Sequence, residues 1–430
     1  MGQLPPNESA SIAGNLYSQS GIHLRIDSGE KRPDASTSAN ELSSHVPAET
    51  AESLEQFVFR HGSYFDSYLA TEPGRLTFRS QSQDGLISYT RRGKYVLAGG
   101  GLIAPPSHKA ALLDEFLKFL RQNKLRVEFH NICEDELPLF RKHGFEITKW
   151  GEEPVIDLPG LTWSGKPFEW VRRQTNYCLR NGVEAFEVRP ELLPTDQWLQ
   201  TLAELQEVSE ESLSLKAQAE EMKFFEGRIG DHALGLRRLF VARSTHGARR
   251  LEGFLVCNPM LAGARWSTEL YRRRSDSVRG TIPFLFQYSI QQLQAERVER
   301  VGLCLDPGLN CDQPLPGDSA LVRRSLGFSD RHLGMIFDHA GLRHFKSRFR
   351  PRYENRYVCA LPKLSIGSIV AFFQVSGLYK LSWTKLGRIA LDRWRKRDAR
   401  KSLTDGQPII PETSDPSCPL HSKQRPGRAA

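Results

Sequence analysis

The residues best suited to do chemistry stand in one C-terminal stretch, Gly341-Leu-Arg-His-Phe-Lys-Ser-Arg-Phe-Arg-Pro-Arg-Tyr-Glu-Asn-Arg-Tyr357. It carries Arg343, Lys346, Arg348, Arg350, Arg352 and Arg356 against a single acid, Glu354. Phe345, Phe349, Tyr353 and Tyr357 recur at every fourth position among them. Two readings follow. In one, the aromatics of an amphipathic segment enter the core and the cations are solvated. In the other, the segment meets polyphosphate or nucleic acid, because guanidinium forks match phosphate oxygens and aromatic rings can carry bases or acyl chains.

Charge favours an anionic partner. From Gly341 to Ser402 there are 16 Lys and Arg and only three acids, Glu354, Asp392 and Asp398. The whole chain is +9, so everything outside this region is net negative. Basicity gathered in one region is the mark of a protein that meets an anionic polymer or surface.

The elements that must position these residues can be read from periodicity. Pro351 forbids one continuous helix, so the stretch predicts a short helix up to Arg350 and an extended exit towards Val358. At 430 residues the chain has room for two domains, and 39% apolar with 25% charged residues describes a soluble globular protein. No run of eighteen uncharged apolar residues is present, and the N-terminus carries neither a basic-then-apolar signal peptide nor a convincing myristoylation site. Seven scattered cysteines without a Cys-x-x-Cys argue against a disulfide scaffold or a zinc site and point to a reducing cytoplasm.

Residues 1–50, rich in Ser, Asn, Glu and Pro, read as a disordered leader. A first unit spans 51–160. It opens with a helix, SLEQFVFRHGSYFDSYL, and continues as an antiparallel meander (LTFRSQ, LISYTRR, KYVLAGGGLIAP) broken at Asp84-Gly85 and Gly93. The amphipathic helix HKAALLDEFLKFLRQ follows, then the strand LRVEFHNI, then LPLFRKHGFEITKW, a short helix turning at Gly144 into another strand. Linker helices are expected over 161–225. The second unit, 226–361, repeats the order with RRLFVARS, RLEGFLVCNP and RWSTELYRR, the amphipathic helix TIPFLFQYSIQQLQAER, and the strand RVGLCL. Matching Val127 to Val301 and Gly144 to Gly327 reads as an internal duplication of a ββαβ-type unit. Residues 362–402 form a basic segment, either a packed C-terminal helix or one lying in an anionic membrane interface. Residues 403–430 read as a disordered tail.

Several signals carry no function. Gly99-Gly100-Gly101 lacks the following Gly-Lys-Ser/Thr of a phosphate loop. His130, His143 and His246 show no metal spacing, and nothing resembles a nucleophile elbow. The approach to the second helix, RRRSDSVRGTIP, lacks the glycine-rich pyrophosphate loop of coenzyme A-dependent acetyltransferases.

A meander, a helix and a strand leading to Leu-Phe-Arg-Lys-His-Gly-Phe resemble the N-acetyltransferase superfamily, here twice in tandem. The finer resemblance is to the C-terminal catalytic domain of phosphatidylglycerol lysyltransferases, the multiple peptide resistance factor family, from roughly His61 to Leu361. It rests on Asp84-Gly85 with Ile87-Ser88-Tyr89, Trp150-Gly151-Glu152-Glu153, Gly165-Lys166 running to Arg172 and Gly182, Glu269-Leu270-Tyr271-Arg272, and the opening stretch. The sequence departs from the family form at Glu269 (aspartate), Arg348 (lysine), Tyr353 (tryptophan), Asn355 (proline) and Ala98-Gly99-Gly100-Gly101 (Leu-Gly-Asp-Pro).

The resemblance implies an α/β (α+β) fold of two tandem N-acetyltransferase-like units, with mixed, largely antiparallel sheets flanked by helices. It implies an enzyme that takes an amino acid from aminoacyl-tRNA and esterifies a lipid hydroxyl such as that of phosphatidylglycerol. The charged tRNA is then a co-substrate, with no metal and no other cofactor. An aminoacyl ester is already activated, so transfer needs the substrates held in line, a proton acceptor and donors for the oxyanion. Glu269 is expected to hold the amino acid's ammonium or act as base, and Arg272 to bind phosphate or the ester carbonyl. Lys346, Arg356 and Tyr357 would bind the acceptor's phosphate or the terminal adenosine, Arg172 and Arg173 a phosphate, and Glu152 and Glu153 the amino group. Arg343, Arg348, Arg350 and Arg352 would contact phosphate or nucleic acid. Each has a plain alternative as a structural ion pair or a solvated charge. The expected partners are charged tRNA and an anionic lipid, with peripheral contact through 362–402 at the inner face of the membrane and no stable protein partner. Two rivals stay open: the same fold with another donor or an amine acceptor, and a non-catalytic module that binds RNA or anionic membrane.

Overall fold

The computed structural model describes residues 52–214, 224–229, 234–311, 313, 318–324 and 339–377. The expected leader, the tail, and the segment from 378 to 402 lie outside them.

Helix α1 (Leu54–His61) is capped by the Ser53 side chain, which accepts from the Gln56 N–H. The first meander is β1 (Leu76–Arg79), β2 (Leu86–Arg92) and β3 (Tyr95–Ile103), all antiparallel. Helix α2 (Lys109–Gln122) crosses over to β4 (Arg126–Cys133), which lies parallel to β3. Leu112, Leu113, Phe116, Leu117 and Leu120 line one face of α2, three and four apart, and bury against Ile87, Val96, Val127 and Phe129. Each such side chain contributes about 1.5–3 kcal/mol by leaving water. Helix α3 (Leu137–Lys142) then leads into the long β5 (Glu146–Asp157).

Between the repeats, α4 (Glu169–Arg180) and α5 (Thr195–Ser214) are the helices expected there. They are separated by a strand that was not, β6 (Val183–Val188), paired antiparallel with β7 (Arg238–Ser244) at the sheet edge. Its sequence, Val-Glu-Ala-Phe-Glu-Val, suits a strand with one covered face. The second meander adds β8 (Leu251–Met260) and β9 (Arg265–Arg273), and α6 (Thr281–Ala295) crosses over to β10 (Arg300–Gly302), parallel to β9. Each half thus carries a helix that crosses over to a parallel strand, the one ending at β4 with Val127 and the other at β10 with Val301, whereas Gly327, matched to Gly144 in the sequence, lies outside the described residues. Helix α6 is buried on more than one side, because α4 packs across it and the Thr175 hydroxyl donates to Gln287 Oε1 at 2.5 Å. After the two-residue β11 (Asp306–Pro307), α7 (His339–Ser347) ends before Pro351, β12 (Arg352–Leu361) follows, and α8 (Ile366–Val375) closes the described chain.

The halves share one sheet, in the order β1-β2-β3-β4-β12-β5-β10-β9-β8-β7-β6. The last strand of each half has crossed to the other. β12 lies antiparallel between β4 and β5, and β5 runs antiparallel to β10. The exchange makes the sheet continuous, since the free edges of β4 and β10 are each filled by the long strand of the opposite half. One apolar core lies under α2, a second under α6, and a third between α5 and the opposite face of β7–β9.

Candidate functional site

The site begins at an irregularity in β9. Val256 pairs with Leu270 and Cys257 with Thr268, so Glu269 is an extra residue, a β-bulge. Its side chain is only 3% exposed. Oε1 accepts a short hydrogen bond from the Gly227 N–H, and Oε2 lies 3.9 Å from Arg237 Nη1 without a hydrogen-bond partner. Burial pushes this carboxyl up to about 7, against the pull of Arg237, the Gly227 amide and the Asn258 amide; Glu72 adds to the rise. A carboxyl poised there can take and return a proton at neutral pH.

The bulge also explains how Glu269 and Arg272, three apart on a strand, reach the same neighbour. Glu226 and Gly227 are consecutive, and the buried Arg272 guanidinium donates to Glu226 Oε2 and to the Ser209 carbonyl, both at 3.4 Å. Space at Gly227 is tight. A Cβ there would lie 2.6 Å from Arg237 Nη1 and 2.7 Å from Glu269 Oε1. Arg237 in turn donates to Glu72 Oε1 at 3.0 Å, and the Glu72–Arg237 pair lines a cavity of about 390 Å³ that also includes Glu55, Tyr68 and Gly235.

Next to this group lies the junction of the halves. Arg356 on β12 is buried and donates from Nε to Glu153 Oε2 on β5 at 3.0 Å and from Nη2 to Glu354 Oε2 at 2.8 Å. Burial pushes the Glu153 carboxyl up, and Arg356 opposes it. Lys346 on α7 donates to Asp306 Oδ1 at 2.7 Å and to the carbonyls of Cys304 and Leu305 at 3.0 and 3.2 Å, which uses all three ammonium protons. The Cys304 thiol donates to the Thr268 carbonyl beside Glu269, and burial pushes it up to about 12.

The other sequence-predicted residues divide. Glu152 is held by Lys149 at 2.5 Å and Asn310 at 2.9 Å. Tyr357 sits in the first core, its hydroxyl pushed up by burial. Arg172 donates to the carbonyls of Trp163 and Gly165, both at 2.7 Å, and fastens the loop before α4. Arg173 is exposed and pairs with Glu169 one turn earlier. Arg343 donates to the Pro307 carbonyl at 2.5 Å, and Arg352 pairs with Asp157 and Glu354. Arg348 lies over the Trp170 ring, and the exposed Arg350 reaches the Pro167 carbonyl at 3.5 Å. The fourfold aromatic spacing is cut at Pro351: Phe345 and Phe349 pack in the second core, Tyr357 in the first, and Tyr353 is exposed.

Glu269 and Arg272 are thus brought to one segment, and Glu153 and Arg356 to one ion pair. Sequence reasoning missed Glu72, Gly227, Arg237 and Asn258. Only Asn258 carried a signal, as a polar residue inside the apolar run Phe-Leu-Val-Cys-Asn-Pro.

Comparison with known proteins turns on residues 55–360, which match the family "Phosphatidylglycerol lysyltransferase, C-terminal". The chain belongs to this family. Among relatives, phosphatidylglycerol lysyltransferase of Bacillus subtilis strain 168 is 22% identical over 328 residues, 76% of this chain and 37% of the relative. The Staphylococcus epidermidis enzyme of the same name is 21% identical over 304 residues, 71% of this chain and 35% of the relative. The chain therefore spans about a third of the length of these relatives. Two solved structures share the fold of this lysyltransferase-family domain. L-PGS from Bacillus licheniformis superposes with a TM-score of 0.62 at 22% identity, covering 75% of this chain and 95% of that one. The C-terminal domain of a lysylphosphatidylglycerol synthetase from Agrobacterium fabrum, described as putative, gives 0.62 at 20% identity, covering 76% and 96%.

Proposed function

We propose that this chain is an aminoacyltransferase that moves an amino acid from aminoacyl-tRNA to the hydroxyl of a membrane lipid such as phosphatidylglycerol. The observation that carries the reading is Glu269, a buried carboxyl poised at about 7 at the bulge of a strand in a lysyltransferase-family fold. The relatives' name supports an acyl transfer to lipid.

The step needs no other reactant. The lipid hydroxyl attacks the ester carbonyl carbon while its proton passes to the Glu269 carboxylate. The tetrahedral oxyanion then collapses, the bond to the tRNA ribose oxygen breaks, and that oxygen takes the proton from Glu269. Arg237 and Arg272, buried close by, stabilise negative charge as it develops. No metal and no further cofactor takes part.

The enzyme works at the cytoplasmic face of the membrane. Among the described residues no helix is long and apolar enough to cross a bilayer. Helix α8 carries no charge, and its Ile366 and Val370 are 74% and 48% exposed, which supports peripheral contact beginning there. Arg350 and Arg173 are the exposed cations best suited to meet tRNA phosphates.

The test is radiolabel transfer. Purified protein is mixed with mixed-lipid vesicles and tRNA charged with one labelled amino acid at a time. Label in the organic phase from one amino acid supports the reading. No label from any, despite tight binding to tRNA or vesicles, overturns it in favour of a binding module.

A further inference from the structure

Asn258 is buried to 0% exposure in β8, and neither atom of its amide, Oδ1 or Nδ2, has a hydrogen-bond partner. That is costly. A buried amide left unpaired loses its hydration without recompense, at about 1–3 kcal/mol. Its place in the sheet says where the amide points. Phe254 and Val256, four and two residues earlier, belong to the core on the α5 side, whereas Leu255 and Cys257 belong to the α6 side. Asn258 continues the first set, on the face that also holds Leu270 and Arg272, its register partners being Ser267 on β9 for Asn258 and Phe254 for Arg272. The amide is near enough to Glu269 to lower that carboxyl's pKa although no well-formed hydrogen bond joins them.

Other unpaired atoms share the spot. Glu269 Oε2, Arg237 Nη1 and Arg237 Nε are also buried without hydrogen-bond partners, Oε2 and Nη1 facing each other only as a loose ion pair at 3.9 Å. The unpaired set contains an anionic acceptor, a cationic donor and a neutral amide that can both donate and accept. A purely structural cluster would pair these groups with one another. A binding site leaves them for a ligand that has the complementary atoms, here a carbonyl oxygen to accept and an ammonium or hydroxyl to donate.

We propose that Asn258 is a catalytic residue whose Nδ2 donates to the carbonyl oxygen of the aminoacyl group and holds it through the oxyanion stage, while Oδ1 accepts from the α-ammonium. The role rests on the reading of the chain as an aminoacyltransferase and extends it by one residue. Asn258 fixes the carbonyl, so that Glu269 meets the hydroxyl proton on the side from which attack occurs. The donor adds no charge, so it leaves Glu269 able to hold the proton it takes, which a further cation would oppose.

The experiment compares wild type with Asn258→Leu, a substitution of similar volume that removes both unpaired polar atoms. Two readouts are taken: steady-state transfer from charged tRNA, and binding of a panel of amino acid amides, whose carbonyl mimics that of the ester, by calorimetry. The expected result is a 10²–10³-fold fall in kcat with a smaller change in KM, loss of amide binding, and an unchanged or raised Tm. Transfer within threefold of wild type overturns the role of Asn258 and leaves the aminoacyltransferase reading standing. A wild type that binds an amide through Asn258 but transfers nothing overturns that reading and keeps the carbonyl site. A wild type that neither binds nor transfers overturns both. Should Asn258→Leu fail to melt cooperatively, Asn258→Ala takes its place with the same outcomes.

Discussion

Arg356 and Glu153 form a buried ion pair, Nε to Oε2 at 3.0 Å, that joins the last strand of the second half to the last strand of the first. It locks the exchanged strands in register at the point where the sheet is shared. Removing the cation leaves the Glu153 carboxylate in a site that already disfavours its charge. Arg356→Met is therefore expected to cost roughly 3–5 kcal/mol in urea unfolding. Glu153→Gln combined with Arg356→Met recovers much of the loss; a double-variant loss equal to the sum of the two single losses would show that the pair is not coupled.

Glu269→Gln separates chemistry from folding. Transfer falls by about 10²–10⁴-fold, as expected for the loss of a general base. In wild type kcat/KM rises with pH through about 7 as the carboxyl ionises, and the variant loses this limb.

Stability should move the opposite way. The folded pKa lies above the ordinary 4.5, so the folded state holds the proton more tightly than the unfolded chain. That contribution is complete below pH 4.5 and is lost as pH rises through about 7, a difference on the order of 3 kcal/mol. Urea titrations at pH 4.5 and pH 8 should show a smaller decline for Glu269→Gln than for wild type.

Lys346 and Arg350, four residues apart, should behave differently. Lys346 has three acceptors and a buried counter-ion, so Lys346→Met lowers stability by roughly 3–5 kcal/mol. Arg350 is exposed, with one long contact among the described residues, so Arg350→Glu leaves the melting curve within about 0.5 kcal/mol. Instead it weakens tRNA binding and reduces the slope of log K against log salt by about 1. An unchanged salt slope would remove Arg350 from the tRNA contact.

Ile366→Asp with Val370→Asp alters the exposed side of α8 and leaves its capping box at Ser365 and Ser368 intact. Co-sedimentation with anionic vesicles should drop several-fold while helix content and Tm hold. Equal sedimentation would place the membrane contact elsewhere.

What could be read in advance follows from the range of the forces involved. The meanders, α2, α6 and their parallel strands are written in local periodicity, so Val127 and Val301 could be matched without coordinates. The helix break at Pro351 was equally local. The exchange of β5 and β12 was not, because both orders leave the same alternation in each strand. Nor was the bulge at Glu269, which depends on one residue of slippage against β8. The cations of the opening stretch illustrate the remaining limit: composition cannot tell Lys346, sealed against Asp306, from Arg350, which faces water. Glu72, Arg237 and Asn258 converge on Glu269 from separate elements, and no spacing records that.

The strand exchange has a consequence on the ribosome. Glu153 and its partner Arg356 are 203 residues apart, so at about 5–20 residues per second β4 and β5 wait roughly 10–40 s for the strand that belongs between them. During that interval two long, partly apolar edges stand unpaired in the nascent chain. A chain that stops before residue 352 would therefore hold a first half unable to complete its own sheet.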